Sequence, residues 1–573
     1  MSSVKIDSFF RDVDAIASGP FVADTTTENG AGAFSSTGST CLDFFSSVVR
    51  DTPSDKVVEL FKLAYLENPH LALKILFNLR DCIGNGKQEK RVSFDAFNFL
   101  KTWKPRTYLK NIAGFASIGC FKDLLVLASM SQHPMMADPE LCYMAALIES
   151  DVGKHAVDPK APLSLVAKWA PTEGCQFDKK IRAAHKIAAF LNYSMSKYRK
   201  TISALRKSLD VLERHETLGT WDEIDFSHVP SVAMKKQKKA FERHLPEKFS
   251  SYLAAVMAGK AKMNSKGVQP HELVRTYING YGPVDPTVDA QWLSLISRLS
   301  SAGLFKDAIA VCDVSGSMGG VPMEVSIALG LVVSELTVEP FNGKVITFSA
   351  VPQWHRIEGA TLRDKIVSLS GASWGMNTDF IAVFKMLLAE AQTYRLASEQ
   401  MIKKIFVFTD MQFDTATNGH AYQTSYQTVK AMYDAAGYTM PQIVFWNLRD
   451  TNSSFPVRKD TPGVALMSGF SAEMLKLFLD DEEITPYKMM LKAVMPYATY
   501  VVDEPDYVSP KVAYSSMVFT GGPLARSVSV VDKPVSHGTV WALSRSPSKS
   551  YSQAVSRFAK PPNCGAGCES DEE

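Results

Sequence analysis

The sequence predicts an α + α/β protein: a helical-repeat half over residues 1–303, a doubly wound parallel-sheet domain over 304–504, and an extended, partly disordered tail over 505–573. Three observations carry this. Up to about residue 300, apolar residues recur at three- and four-residue spacing, with Pro and Gly at the joints. From about 304, β-rich apolar runs alternate with helical stretches, the pattern of a parallel sheet covered on both faces. After about 505 the periodicity fades into Ser and Pro, and the chain ends acidic.

In the first half, "DKVVELFKLAYLENPHLALKILFNLRDC" (55–82) predicts a helix, a tight turn at Asn68-Pro69 and a second helix. "FDAFNFLKTWKPRTYLKNIAGFASIGCFKDLLVLASM" (94–130) repeats the style with joints near Pro105 and Gly119, and 182–219 is another helical passage. No consensus is shared between the units, so irregular pairs stacked in the HEAT manner are expected. "GNGK" (84–87) lacks the spacing of a phosphate loop and the Ser/Thr after its Lys, and predicts a turn. In the second half, "AIAVC", "KVITFS", "KKIFVFTD", "QIVFWNL" and "GVALMSG" supply the apolar runs, with helical stretches such as "MEVSIALGLVVSEL" and "IAVFKMLLAEAQ" between them.

A chain of 573 residues is too long for one core. Its 46% hydrophobic and 21% charged residues are those of an ordinary globular protein. The balance of 62 basic against 60 acidic residues excludes a global polyanion signal, so any nucleic-acid surface must be a local patch. The N-terminus lacks a secretory pattern, and no apolar run approaches the ~18 residues of a membrane span, so no membrane partner is expected. Eight irregularly spaced cysteines suit reduced thiols in a cytoplasmic or nuclear protein. The single close pair, Cys564 and Cys568, cannot complete a zinc site alone.

The chemistry concentrates in "AIAVCDVSGSMGG" (308–320), where an apolar strand ends in Asp313, Ser315 and Ser317. "WGMNTDF" (374–380) adds Thr378 and Asp379 before a helix, and "KKIFVFTDMQFD" (403–414) ends a strand in Asp410. Each segment alone is what helix caps and turns look like. Together, three loops at the carboxyl ends of strands of one sheet converge carboxylates and hydroxyls. Oxygen-only ligands suit a hard divalent cation, Mg²⁺ or Mn²⁺.

This constellation, Asp313, Ser315, Ser317, Thr378 and Asp410 in order, resembles the metal-ion-dependent adhesion site of von Willebrand factor A domains. The resemblance implies direct ligation by the serine hydroxyls and Thr378, carboxylates acting directly or through water, and an open position for an acidic group on a protein partner. One departure is Met411, which stands where a glycine commonly follows the last Asp.

A helical half joined to such a domain resembles the Ro ribonucleoprotein (TROVE) family, most closely a Ro-like branch found in eukaryotes, bacteria and large viruses. Its marks are "TENGAGAFSSTGSTCLDFF" (27–45), "NLRDCIGNGK" (78–87), "VPSVAMKKQKKAFERH" (229–244), "IVFWNLRD" (443–450) and "VALMSGFS" (464–471). The resemblance implies a helical ring or horseshoe closed by the A domain, with RNA as a partner. Closure would bring "CLDFF" (41–45) near Trp292–Leu304.

Two basic runs could serve RNA: Tyr198, Arg199 and Lys200 in one, and Lys235, Lys236, Lys238, Lys239 and Arg243 in the other. The commoner fate of such runs is a solvated helix face. Catalysis is not expected, because hydroxyl-dominated ligation leaves few charges for two metals and no His or Lys in these segments is an evident base. The alternative to RNA binding is a metal-dependent protein-binding scaffold, or a virion component if the source is viral.

Overall fold

Several helices start where the sequence supplies a cap or a proline. The computed structural model describes residues 23–130, 138–278, 282–348, 351–372, 379–414, 424–451, 454–480, 482–503, 517–519 and 528–530. Ser39 caps α1 (Thr40–Ser47) by accepting from Leu42 N–H, and Asn68 ends α2 (Ser54–Glu67) while capping α3 (Pro69–Arg80). The Asn68-Pro69 break is thus one residue serving two helices. Pro105 likewise separates α4 (Arg91–Trp103) from α5 (Pro105–Ile118). Next come α6 (Phe121–Met130), α7 (Pro139–Val157), α8 (Val166–Trp169), α9 (Gln176–Ile181), α10 (Ala183–Phe190), α11 (Met195–Ser208) and α12 (Leu212–Leu218). The half closes with α13 (Ser231–His244), α14 (Pro246–Met257), α15 (Pro270–Val274) and α16 (Pro286–Ser300).

Between α3 and α4, the glycines of "GNGK" wrap the chain around Asp81. Its Oδ1 accepts from Ile83 N–H (2.9 Å) and Gly84 N–H (2.6 Å). A Cβ at Gly84 would lie 2.2 Å from the Asp81 carboxylate, and one at Gly86 would lie 2.4 Å from Asn78 O. The turn requires glycine for closeness.

The second half is a mixed six-stranded sheet of β3 (Ala308–Cys312), β4 (Lys344–Thr347), β5 (Trp354–Arg356), β6 (Lys404–Thr409), β7 (Gln442–Asn447) and β8 (Val464–Ser468). The order is β5-β4-β3-β6-β7-β8, parallel except for β5, which runs antiparallel at the edge. The expected parallel sheet thus carries one antiparallel edge strand, whose three residues paired back onto β4 are too short to show in the sequence pattern. α17 (Val321–Leu336) lies across β3, β4 and β6. α18 (Leu362–Ser370), α19 (Phe380–Tyr394), α20 (Ser425–Ala436) and α21 (Pro486–Val494) follow. The winding direction reverses between β3 and β6, and in such sheets the crevice outside the carboxyl ends at that point is where ligands bind.

The two halves share one continuous core, and a satellite core of Leu212, Phe226, Phe241, Phe249 and neighbours sits under α13 and α14. Both ends of the helical half seat on the sheet domain: α1 packs on β8 and α21, and α15 and α16 pack on α17. The ends also meet each other over the loop after β8. Gln269 Nε2 donates to Gln88 Oε1 (2.9 Å), Arg50 Nη1 to His271 Nε2 (3.4 Å) and Gln88 Nε2 to Ser471 Oγ (3.4 Å). Residues 41–45 lie in α1 on β8 and α21, where Phe45 faces Lys87 and Ser468.

An arm precedes α1. β1 (Thr25–Thr26) pairs with β2 (Gly32–Ala33), and single bridges join Gly30 to Asp414, Gly32 to Thr424 and Phe34 to Phe455. Within the tail, β9 (Met517–Phe519) and β10 (Val528–Val530) form an antiparallel pair beside α5. The remainder of 505–573 lies outside the described residues. No described helix is long and apolar enough to cross a membrane.

Candidate metal centre

Asp313 leaves β3 fully buried, with both carboxylate oxygens engaged. Oδ1 accepts from Ser315 N–H (2.9 Å) and Oδ2 from the Thr409 hydroxyl (2.8 Å). Cys312 pairs with Phe408 in the parallel register, so Asp313 and Thr409 stand level across two strands. Burial pushes the Asp313 carboxyl up to about 6, and the nearby Asp410 adds to this against the hydrogen bonds from Ser315 and Thr409. A buried carboxylate crowded by a second one is a group whose charge a cation would stabilise.

Ser315 is buried and Ser317 exposed, their hydroxyl oxygens 3.0 Å apart. Asp410 is buried at the end of β6; its Oδ1 accepts from Gln412 N–H (3.1 Å). Its Oδ2 has no hydrogen-bond partner among the described residues. An orphaned buried carboxylate oxygen costs free energy unless something satisfies it. The donor set, two carboxylates and two hydroxyls at the switch point, fits a hard divalent cation; among the described residues no three His, Cys, Asp or Glu side chains gather as a metal group. Asp313, Ser315 and Ser317 are thus brought together and joined to the end of β6. Thr378 lies outside the described residues. Asp379 caps α19 by accepting from Ala382 N–H (2.9 Å), the ordinary role of such a residue.

Met411 adopts φ +67°, the left-handed region that glycine enters freely and methionine does not. This is a conformation that a glycine would serve more easily than a methionine. Two contributors escape sequence reasoning. Thr409 is found only through the register of β3 against β6, and Gln412 only through its partners in the arm, described below.

The basic runs divide differently. Tyr198 is buried, its hydroxyl donating to Pro171 O (2.8 Å), so its expected service to RNA is corrected: it is a core residue. Arg199 is exposed and paired with Glu173 (2.8 Å), and Lys200 is exposed. Lys235 pairs with Glu272 (3.3 Å) and Lys238 with Asp285. Lys236, Lys239 and Arg243 remain exposed, spaced along one face of α13, while Phe241 is buried in the satellite core.

A helical half joined to a doubly wound sheet, with carboxylates and hydroxyls at the switch point, defines the class of chain. Residues 27–145 and 188–305 match the family model described as domain of unknown function DUF2828, and residues 307–503 match a second, domain of unknown function DUF7788. The chain is 36% identical over 501 residues to the uncharacterized protein L728 of Acanthamoeba polyphaga mimivirus, covering 82% of this chain and 87% of that relative. It belongs to the family of that mimivirus protein.

Proposed function

We propose that this is a non-enzymatic binding protein whose sheet domain is a von Willebrand factor A-type module. It would hold Mg²⁺ or Mn²⁺ through Asp313, Ser315, Ser317, Thr378 and Asp410 and bind a partner by an acidic group. The observation that carries this reading is the buried Asp410 Oδ2, without a hydrogen-bond partner among the described residues, beside the buried Asp313. The strand order with one antiparallel edge strand supports the same module. The cation would supply a positive centre with a position open to a carboxylate; Asp313 and Asp410 would hold it and the serine hydroxyls would complete its oxygen shell. Calorimetric titration with Mn²⁺ tests this: wild type binds, and Asp313→Ala abolishes binding while the unfolding midpoint stays close to wild type. Equal Mn²⁺ affinity in the two proteins refutes it.

A second reading, a Ro-like ring of HEAT-like pairs that binds RNA in the cytoplasm or nucleus, is supported by one surface. Lys236, Lys239 and Arg243 form an exposed basic row, and the ends of the helical half meet through Gln88 and Gln269. Each phosphate-contacting lysine should contribute about one unit to the salt dependence of binding. Replacing the three residues with Glu should weaken single-stranded RNA binding and flatten its salt slope in anisotropy titrations. No binding by wild type at low salt leaves the metal-dependent scaffold or virion component.

A further inference from the structure

The arm that precedes α1 reaches the loop carrying Asp410 from the far end of the sequence. Thr27 Oγ1 donates to Phe413 O (2.8 Å), Glu28 N–H to Gln412 Oε1 (2.6 Å) and Asn29 Nδ2 to Gln412 O (2.8 Å). Gln412 is the residue whose own N–H donates to Asp410 Oδ1 (3.1 Å). Both the carbonyl and the side chain of the residue that orients Asp410 are therefore held by the arm.

The arm is shaped for this. Thr27 O accepts from Gly30 N–H (3.0 Å) and the Thr27 hydroxyl from Ala31 N–H (3.0 Å), closing a turn in which Gly30 has φ +86°. The turn is anchored beyond: Phe34 and Phe455 exchange two backbone hydrogen bonds of 2.8 Å, and Arg458 pairs with Asp24 (3.0 Å) while covering the Phe34 ring. The loop, by contrast, contains Met411 at φ +67°, a conformation its own side chain disfavours. A loop that local preference does not hold must be held from outside.

We infer that the arm over residues 24–34 is a positioning element of the cation site, and that Thr27, through Phe413, and Asn29, through Gln412, set the affinity of that site. This rests on the reading of Asp313 and Asp410 as cation ligands. Groups that orient a metal ligand without touching the metal commonly change its affinity by roughly ten- to a hundredfold. Because the arm runs directly into α1, it links the helical half to the loop that carries Asp410.

The test uses the full chain. Wild type, Thr27→Val/Asn29→Ala, Thr27→Ser and Asp313→Ala are titrated with Mn²⁺ by calorimetry, and amide exchange of residues 410–414 is followed by mass spectrometry without metal. The double variant should bind Mn²⁺ about tenfold more weakly. It should exchange faster at 410–414 and keep the wild-type unfolding midpoint, while Thr27→Ser, which keeps the hydroxyl, stays near wild type. Unchanged affinity and unchanged exchange in the double variant overturn the inference, as does a loss of affinity matched by a general loss of stability. If wild type itself does not bind Mn²⁺, the cation reading falls and with it any effect of the arm on affinity.

Discussion

Replacing Lys87 with Met should reverse its effect on stability between pH 7 and pH 9. Lys87 is fully buried where the two halves meet, its ammonium donating to Phe45 O and to Ser468 Oγ (2.6 Å) and lying 4.4 Å from the centre of the Phe45 ring. Burial pushes it from its ordinary 10.5 down to about 7, opposed by the charge of Glu89. At about 1.4 kcal/mol per pH unit, holding that proton in the folded state costs roughly 4 kcal/mol at neutral pH. Against this stand two hydrogen bonds of about 1 kcal/mol each and a ring contact of about 1 kcal/mol. A neutral amine keeps the hydrogen bonds.

A methionine side chain fills the same volume, and Phe45 O retains the Ser468 hydroxyl at 3.0 Å. The variant should therefore be more stable than wild type by about 1 kcal/mol at pH 7. The sign with pH follows from proton counts. Above the folded value of about 7 and below the unfolded 10.5, the unfolded chain keeps a proton that the folded chain has shed. Wild-type stability then rises with pH, and the Lys87→Met variant has no such slope. The advantage of Lys87→Met should fall by about 2 kcal/mol between pH 7 and pH 9 and become a deficit. Urea unfolding of both proteins at the two pH values measures it. A difference that is the same at both refutes the argument, since it would mean that Lys87 does not change protonation on folding.

Gly330→Ala should destabilise by about 1–3 kcal/mol, because a Cβ there would lie 2.2 Å from Cys312 Sγ beneath β3; adding Cys312→Ala should restore most of the loss of thermal midpoint. Asp123→Ala should cost about 3–5 kcal/mol, since it strands the buried Arg80 guanidinium now paired at 2.7 Å. A loss below about 1 kcal/mol in chemical denaturation would show that water reaches Arg80.

Much of the architecture is legible because it is local. Asn68-Pro69 and Pro105 punctuate helices through cap chemistry that needs only a few neighbouring residues. The turn at "GNGK" follows from glycine spacing, yet that spacing says nothing of where Lys87 goes. A basic run likewise shows its charge but not its partners: Lys235 and Lys238 find carboxylates at Glu272 and Asp285, and Lys236 and Lys239 stay exposed. Tyr198 between basic residues looks like a stacking platform, but helical phase turns it inward.

The sequence by itself determines the alternation of elements and the carboxylates and hydroxyls at the ends of β3 and β6. Those signals lie within windows of about ten residues, where periodicity, caps and turns act. Tertiary structure alone decides that Thr409 stands level with Asp313, that Asp410 Oδ2 is buried without a described partner, and that residues 27–29 grip Gln412 and Phe413. These depend on the register of parallel strands and on contacts between positions hundreds of residues apart. No local propensity encodes them: the first needs β3 to pair with β6, and the grip of the arm arises only when the shared core brings the two halves together.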